Sequence, residues 1–248
     1  MKWFNTYRAP GECFIRLEPQ GAAADKTVLL IHGWGVRASS MRALGEALTG
    51  CGCTVYNYDY PTSRRHIAEH AAVFLKRYRA LAGNGWPDGV YFVTHSMGGL
   101  VLRAAMAAMT EKECRQIRSI VMLGPPNRGS VLAYPGKLRW VRSINRSLGD
   151  MTPGRGSWLD TIPRPPVLPP IDIVAGRFDE KVALRNTLLP DDMPCRRVIV
   201  SCTHPGLRQP RHVLPSILRF WSSRGRNEHF EMPGGRENAS WQNDTSHR

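Results

Sequence analysis

Short apolar runs rich in β-branched residues alternate along this chain with segments of helical period. That alternation restricts the fold more than any other feature. Val28 to Ile31, Val55 to Tyr58, Val90 to Thr94, Ile120 to Leu123, Ile171 to Ala175 and Val198 to Ser201 read as strands. Between the first two, Ser39-Ser40 signals a helix start, with Met41, Leu44 and Leu48 on one face. Ile67, Ala71, Phe74, Leu75, Tyr78 and Leu81 then recur at helical spacing. The small-residue run Gly98 to Met109 and the segment His212 to Trp221, with Pro215 near its start, read as further helices. Most strand runs are continuously apolar, as strands covered on both faces must be. Strand–helix alternation of this kind implies an α/β fold: a mostly parallel, twisted sheet joined by right-handed crossovers, with helices on both faces.

The 248 residues suit one domain, expected over residues 1–222. From about 127 to 170 there is no strand pattern but much Pro, Gly and Arg, which suits a lid-like excursion over the sheet's C-terminal edge. Residues 223–248 are polar and Gly-rich without a periodic apolar face, so a disordered tail is expected. The start, Met1-Lys2-Trp3-Phe4-Asn5-Thr6, lacks the apolar core of a secretory signal, and no run of about 18 apolar residues occurs. A cytoplasmic location follows as an expectation, and the tail sequons Asn238-Ala239-Ser240 and Asn243-Asp244-Thr245 read as chance matches. The same context makes reduced thiols of Cys13, Cys51, Cys53, Cys114, Cys195 and Cys202. The formal net charge is +14, but the basic residues are scattered rather than gathered in one stripe, which argues against nucleic acid as the partner. The densest groups are Arg64-Arg65-His66, Arg196-Arg197 and the stretch from Lys137 to Arg146, the last suited to peripheral contact with anionic lipid.

Four segments carry chemistry. Val90 to Thr94 runs through His95 straight into Ser96-Met97-Gly98-Gly99, and a helix follows at once. A sharp strand–Ser–helix turn of this kind lifts a serine hydroxyl clear of a sheet, and small flanking residues relieve the crowding. Thr94 stands where such elbows usually have Gly. Upstream, Val28 to Ile31 leads into the Gly-rich turn His32-Gly33-Trp34-Gly35. Acyl transfer needs donors aimed at a developing oxyanion, and the backbone N–H groups of Met97 and Trp34 are the expected pair. Asp179 follows the strand Ile171 to Ala175, where a carboxylate can orient a histidine; Glu180 is its competitor. Asp191 and Asp192 lie too close before His204 to leave comfortable room for a strand and its return, and Asp172 lies inside a strand. His204 follows the last strand, at the edge where a general base must lie, with His212 as rival. His32 and His95 read as structural histidines. Ser96, Asp179 and His204 thus fall in the chain order Ser, acid, His on three loops at one sheet edge.

These residues resemble the α/β-hydrolase superfamily, in particular its bacterial lipase and esterase-like branch. Gly124-Pro125-Pro126-Asn127-Arg128-Gly129-Ser130 is similar to the Gly-x-Pro-x-x-Gly-Ser stretch of lipases related to the inositol-deacylase group. Asp179-Glu180-Lys181-Val182 is similar to that branch's Asp-Gly-Lys-Val acid loop, with Glu180 replacing Gly. The likeness spans about residues 26 to 222 and is weak over the excursion. It implies the α/β-hydrolase fold and a serine hydrolase that cleaves carboxylic esters through an acyl-enzyme, with catalytic Ser96, Asp179 and His204. It implies no cofactor and no metal, and a small-molecule or lipid ester as partner. Thioesterase, amidase or acyltransferase chemistry would use the same triad, and a non-catalytic binding protein could keep the same fold. The residues say nothing of the oligomeric state.

Overall fold

All six strand runs form, and all six pair parallel. The computed structural model describes residues 12–17, 19, 26–86, 88–130, 132–134, 145–154, 156–223 and 241–242. An edge strand β1 (Cys13–Leu17) precedes the parallel set β2 (Lys26–Ile31), β3 (Cys53–Asp59), β4 (Val90–His95), β5 (Ile117–Leu123), β6 (Ile171–Gly176) and β7 (Arg196–Val200). A two-residue β8 (Trp241–Gln242) pairs antiparallel with β7, and β1 pairs antiparallel with β3. The strand order is β1-β3-β2-β4-β5-β6-β7-β8. The chain therefore steps from β2 to β3 on one side and returns to place β4 on the other. Beyond the C-terminal ends of β2 and β4 lies the point where strand order reverses, and sheets of this kind bind ligands there.

The helices are α1 (Arg42–Gly50), α2 (Ile67–Ala82), α3 (Met97–Met106), the short α4 (Glu111–Arg115) and α5 (Arg146–Asp150), and α6 (Pro210–Ser223). They divide the core in two. Leu29 and Ile31 of β2 pack with Phe74 and Tyr78 of α2 and Leu100 of α3. Val28 and Leu30 pack on the other face with Leu44 and Leu48 of α1 and Ile217 and Phe220 of α6. Successive strand residues point to opposite faces, so a continuously apolar β2 is what two covered faces require. On the α2 face an aromatic group dominates. Tyr58 lies 5.0 Å from Phe14 and 5.2 Å from Phe74 between ring centroids, and Phe74 meets Phe92 edge-on. Edge-on and tilted contacts set positive ring edges against negative faces.

The excursion holds no strand among its described residues, only α5 and short helical turns. It is fastened to the sheet's rim by polar contacts. The Asp150 carboxylate accepts the Ile67 N–H at 2.8 Å and bonds His66 Nδ1 at 3.1 Å, so the excursion caps the start of α2. Ser147 Oγ donates to the Thr62 carbonyl. Residues 135–144, and with them most of the basic stretch from Lys137, lie outside the described residues, as do residues 224–240 and 243–248 of the expected tail. The six cysteines form no disulfide. Among the described residues no helix is long and apolar enough to cross a membrane.

Phe74 is fully buried within the aromatic group, whereas Phe178 is 63 % exposed. Phe74→Ala is expected to cost about 3–5 kcal/mol in urea unfolding, and Phe178→Ala to change stability by less than about 0.5 kcal/mol. Similar midpoints for the two variants would contradict this division of the core.

Candidate active site

The turn after β4 is built under constraint. Ser96 has φ 52° and ψ −125°, the only positive φ outside glycine among the described residues. Such a conformation costs a side-chain-bearing residue on the order of 1–3 kcal/mol. It is held by hydrogen bonds on both sides: Ser96 N–H donates to Leu123 O at 2.9 Å, and Gly99 N–H donates to Ser96 O at 3.0 Å. A Cβ on Gly98 would lie 2.4 Å from the Ile31 carbonyl oxygen, and one on Gly33 would lie 2.8 Å from Ser96 Cβ. The elbow and the turn after β2 therefore touch backbone to backbone, which only glycine permits. Thr94 is fully buried where Gly is usual, and its Oγ1 faces Gly99, where a Cβ would come within 3.3 Å. The elbow forms despite the departure because Gly99 makes the room.

The expected acid and base meet. His204 Nδ1 donates to Asp179 Oδ2 at 2.7 Å, with both side chains nearly inaccessible to solvent. Asp179 Oδ1 accepts the N–H groups of Lys181 and Val182 at 2.9 and 2.8 Å, so the loop's own backbone fixes the carboxylate. Gly124, at φ 54°, lies directly beneath the pair; a Cβ there would come 3.1 Å from Asp179 Oδ2 and 3.4 Å from His204 Nδ1. Glu180 does not compete for the ring, because its Oε2 accepts the His204 backbone N–H at 3.2 Å. Ser96 and His204 line one cavity of about 110 Å³, together with His95, Trp34 and Arg208.

The remaining candidates are placed as follows. Trp34 lines the cavity and donates its indole N–H to Asn145 of the excursion at 3.1 Å. Met97 is the first residue of α3. The backbone N–H groups of both donate to no protein acceptor among the described residues, a condition an oxyanion donor must meet. Asp172 is buried and binds Arg196, while Asp191 and Asp192 bind Arg128 and Arg164 at the surface. The spacing argument against these last two fails, since β7 does fit between Asp192 and His204; their surface pairing removes them instead. His212 lies in α6 against Arg211. Among the described residues no cluster of His, Cys, Asp and Glu side chains could hold a metal ion.

Two histidines prove structural, as expected, but each does more than fill space. His32 is fully buried; its Nδ1 lies 3.0 Å from the Gly33 carbonyl, its Nε2 accepts the Tyr60 N–H at 3.3 Å, and its ring stacks on Tyr60 at 4.4 Å. Burial lowers its pKa from 6.5 to about 4. His95 packs against His204 with ring centroids 4.6 Å apart, and its Nε2 holds the His204 carbonyl at 3.1 Å. Burial, reinforced by the charge of His204, pushes His95 well below the usual histidine range. The sequence could not reveal this support, because 109 residues separate the two partners.

Residues 28–229 match the model of the Alpha/beta hydrolase family, and the chain belongs to that family. No curated protein matches the chain in sequence. Solved structures resemble it in fold. The mature lipase BlEst2 of Bacillus licheniformis superposes with a TM-score of 0.69 at 16 % identity, covering 84 % of this chain and 97 % of that one. The type II thioesterase YbtT of a yersiniabactin pathway gives 0.64 at 16 % identity, covering 86 % and 99 %. Est1E of Butyrivibrio proteoclasticus gives 0.58 at 17 % identity, covering 86 % and 98 %. The α/β-hydrolase fold read from the sequence is the fold observed.

The buried His32 makes stability depend on pH. The unfolded chain takes up a proton at this residue below about 6.5, whereas the folded chain resists until about 4. The group's contribution is therefore complete above pH 6.5 and is lost as pH falls toward 4, on the order of 3 kcal/mol in all. Urea midpoints at pH 7.5 and 5.0 should fall further for the wild type than for His32→Gln. Equal falls would refute the assignment. His70, also lowered by burial to about 4, leaves a residual slope in the variant.

Proposed function

We propose that this α/β hydrolase cleaves carboxylic esters through an acyl-enzyme formed on Ser96. One observation carries the reading: Ser96, held at positive φ on the elbow, shares a cavity with His204, whose far ring nitrogen is bound by buried Asp179. The Asp179 carboxylate fixes the proton on Nδ1, which leaves Nε2 as the basic nitrogen. In acylation, Nε2 takes the Ser96 hydroxyl proton as Oγ attacks the ester carbonyl. The tetrahedral oxyanion is held by the Met97 and Trp34 N–H groups. The imidazolium then returns its proton to the leaving alcohol as the C–O bond breaks. Water enters, gives a proton to Nε2 and attacks the acyl carbon, and collapse frees the acid and restores Ser96. Removing one oxyanion donor from such a site costs roughly 3–4 kcal/mol of barrier. The site's lipase, esterase and thioesterase neighbours in fold are consistent with acyl transfer from oxygen or sulfur.

A fluorophosphonate probe is expected to label the folded wild type and to leave Ser96→Ala unlabelled. Failure of the folded wild type to react would overturn the reading. With 4-nitrophenyl esters, Asp179→Asn is expected to lower kcat by about 10²–10⁴-fold, because the amide favours the wrong histidine tautomer. A series of short and long acyl esters then separates esterase from lipase preference.

A further inference from the structure

Among the described residues, the cavity that holds Ser96 is lined by two cationic residues and by no carboxylate. Arg208 ends the short helical turn Pro205–Arg208 that begins next to His204. Lys181 follows the acid loop, and its backbone is pinned at both ends: its N–H binds Asp179 Oδ1 and its carbonyl accepts the Ser130 hydroxyl. Both residues line the cavity. The Arg208 Nε is buried without a hydrogen-bond partner, and among the described residues no carboxylate pairs with Arg208 or Lys181. The acids nearest the site are already engaged. Asp179 accepts three hydrogen bonds, and Glu180 accepts the His204 N–H.

Two other half-buried arginines of this chain are paired with carboxylates, and the buried Nε of Arg103 lacks a hydrogen-bond partner as that of Arg208 does. Arg196 lies on Asp172, and Arg65 on Glu12. Arg103, buried without a carboxylate, donates to the side chain and carbonyl of Asn127. Leaving a guanidinium partly desolvated and unpaired is unfavourable, and a bound anion offsets that cost. Burial alone accounts for the lowered pKa of Arg208, with no raising contribution from an acid. The lining of the same cavity also includes the apolar residues Val36, Leu132, Ala133, Leu148 and Met151. A ligand that satisfies both sets of residues has an apolar chain and an anionic group a few atoms from its ester.

We propose that Arg208 and Lys181 form an anion subsite beside Ser96, so that the preferred ester carries a carboxylate or phosphate as well as an apolar chain. The guanidinium supplies two parallel N–H donors to two oxygens, and the ammonium adds a mobile third contact. This rests on the ester-hydrolase reading for its substrate class, but the binding site itself does not need turnover. The anion has two possible positions: on the acyl side, or on the alcohol side as in a glycerol phosphate ester.

Binding of hexylphosphonate to Ser96→Ala protein by titration calorimetry tests the subsite without chemistry. One site is expected, weakened at least tenfold by adding Arg208→Gln and by a smaller factor on adding Lys181→Gln, an exposed position that leaves the fold intact. No binding, or binding unchanged by both substitutions, overturns the subsite. Turnover then assigns the substrate through two matched pairs. One is 4-nitrophenyl hexanoate against the 4-nitrophenyl monoester of adipic acid. The other is 1-hexanoylglycerol against 1-hexanoylglycerol 3-phosphate. The wild type is expected to favour the anionic member of one pair at least tenfold in kcat/KM, and Arg208→Gln to abolish that ratio; the responding pair locates the anion. Hydrolysis of neutral esters with no preference in either pair overturns this substrate assignment and leaves the hydrolase reading standing. Arginine-dependent phosphonate binding without turnover or probe labelling overturns the hydrolase reading and leaves the subsite standing.

Discussion

The close approach of two backbone turns at the C-terminal ends of β2 and β4 sets everything else in place. Gly98 lies against the Ile31 and His32 carbonyls, and Gly33 lies against Ser96. Parallel pairing of the two strands brings their ends level, and the reversal of strand order opens a crevice just there. The turn after β2 and the serine elbow are therefore one packed unit rather than two loops that happen to meet. Its dimensions are those of backbone atoms in contact, which side-chain motion cannot loosen.

Around that unit the histidines divide the labour by their partners. His32, with one nitrogen near a carbonyl and the other taking a backbone N–H, ties the β2 turn to Tyr60 beyond β3. His95 reaches across to the His204 carbonyl and braces the loop after β7. His204 is the one of the three whose ring nitrogen is hydrogen-bonded to a carboxylate, at 2.7 Å from Asp179, whereas His32 Nε2 lies 3.7 Å from Asp59. Burial keeps the first two neutral, so they act as rigid polar spacers. The three residues differ in no respect as amino acids; what separates them is the hydrogen-bond partner each fold position supplies.

Much of this was legible along the chain. Parallel strands buried on both faces leave continuous apolar runs, and the elbow, the acid loop and the histidine loop each follow such a run. What escaped has physical reasons. Only Phe14 of β1 is buried, so that edge strand has no run or alternation to read. α4 is too short for a periodic face, although Thr110 and Glu113 form the reciprocal cap that could have announced it. The brace from His95, the space under the Asp179–His204 pair at Gly124, and the solitary Arg208 are relations between distant segments. No spacing rule reaches them.

The left-handed backbone at Ser96 has a consequence for how the chain could change. Glycine would adopt that conformation at no steric cost, and the fold would be more stable for it. The same replacement would remove the hydroxyl that the surrounding loops converge on. At this one residue, resistance to unfolding and the reactivity proposed for Ser96 pull in opposite directions.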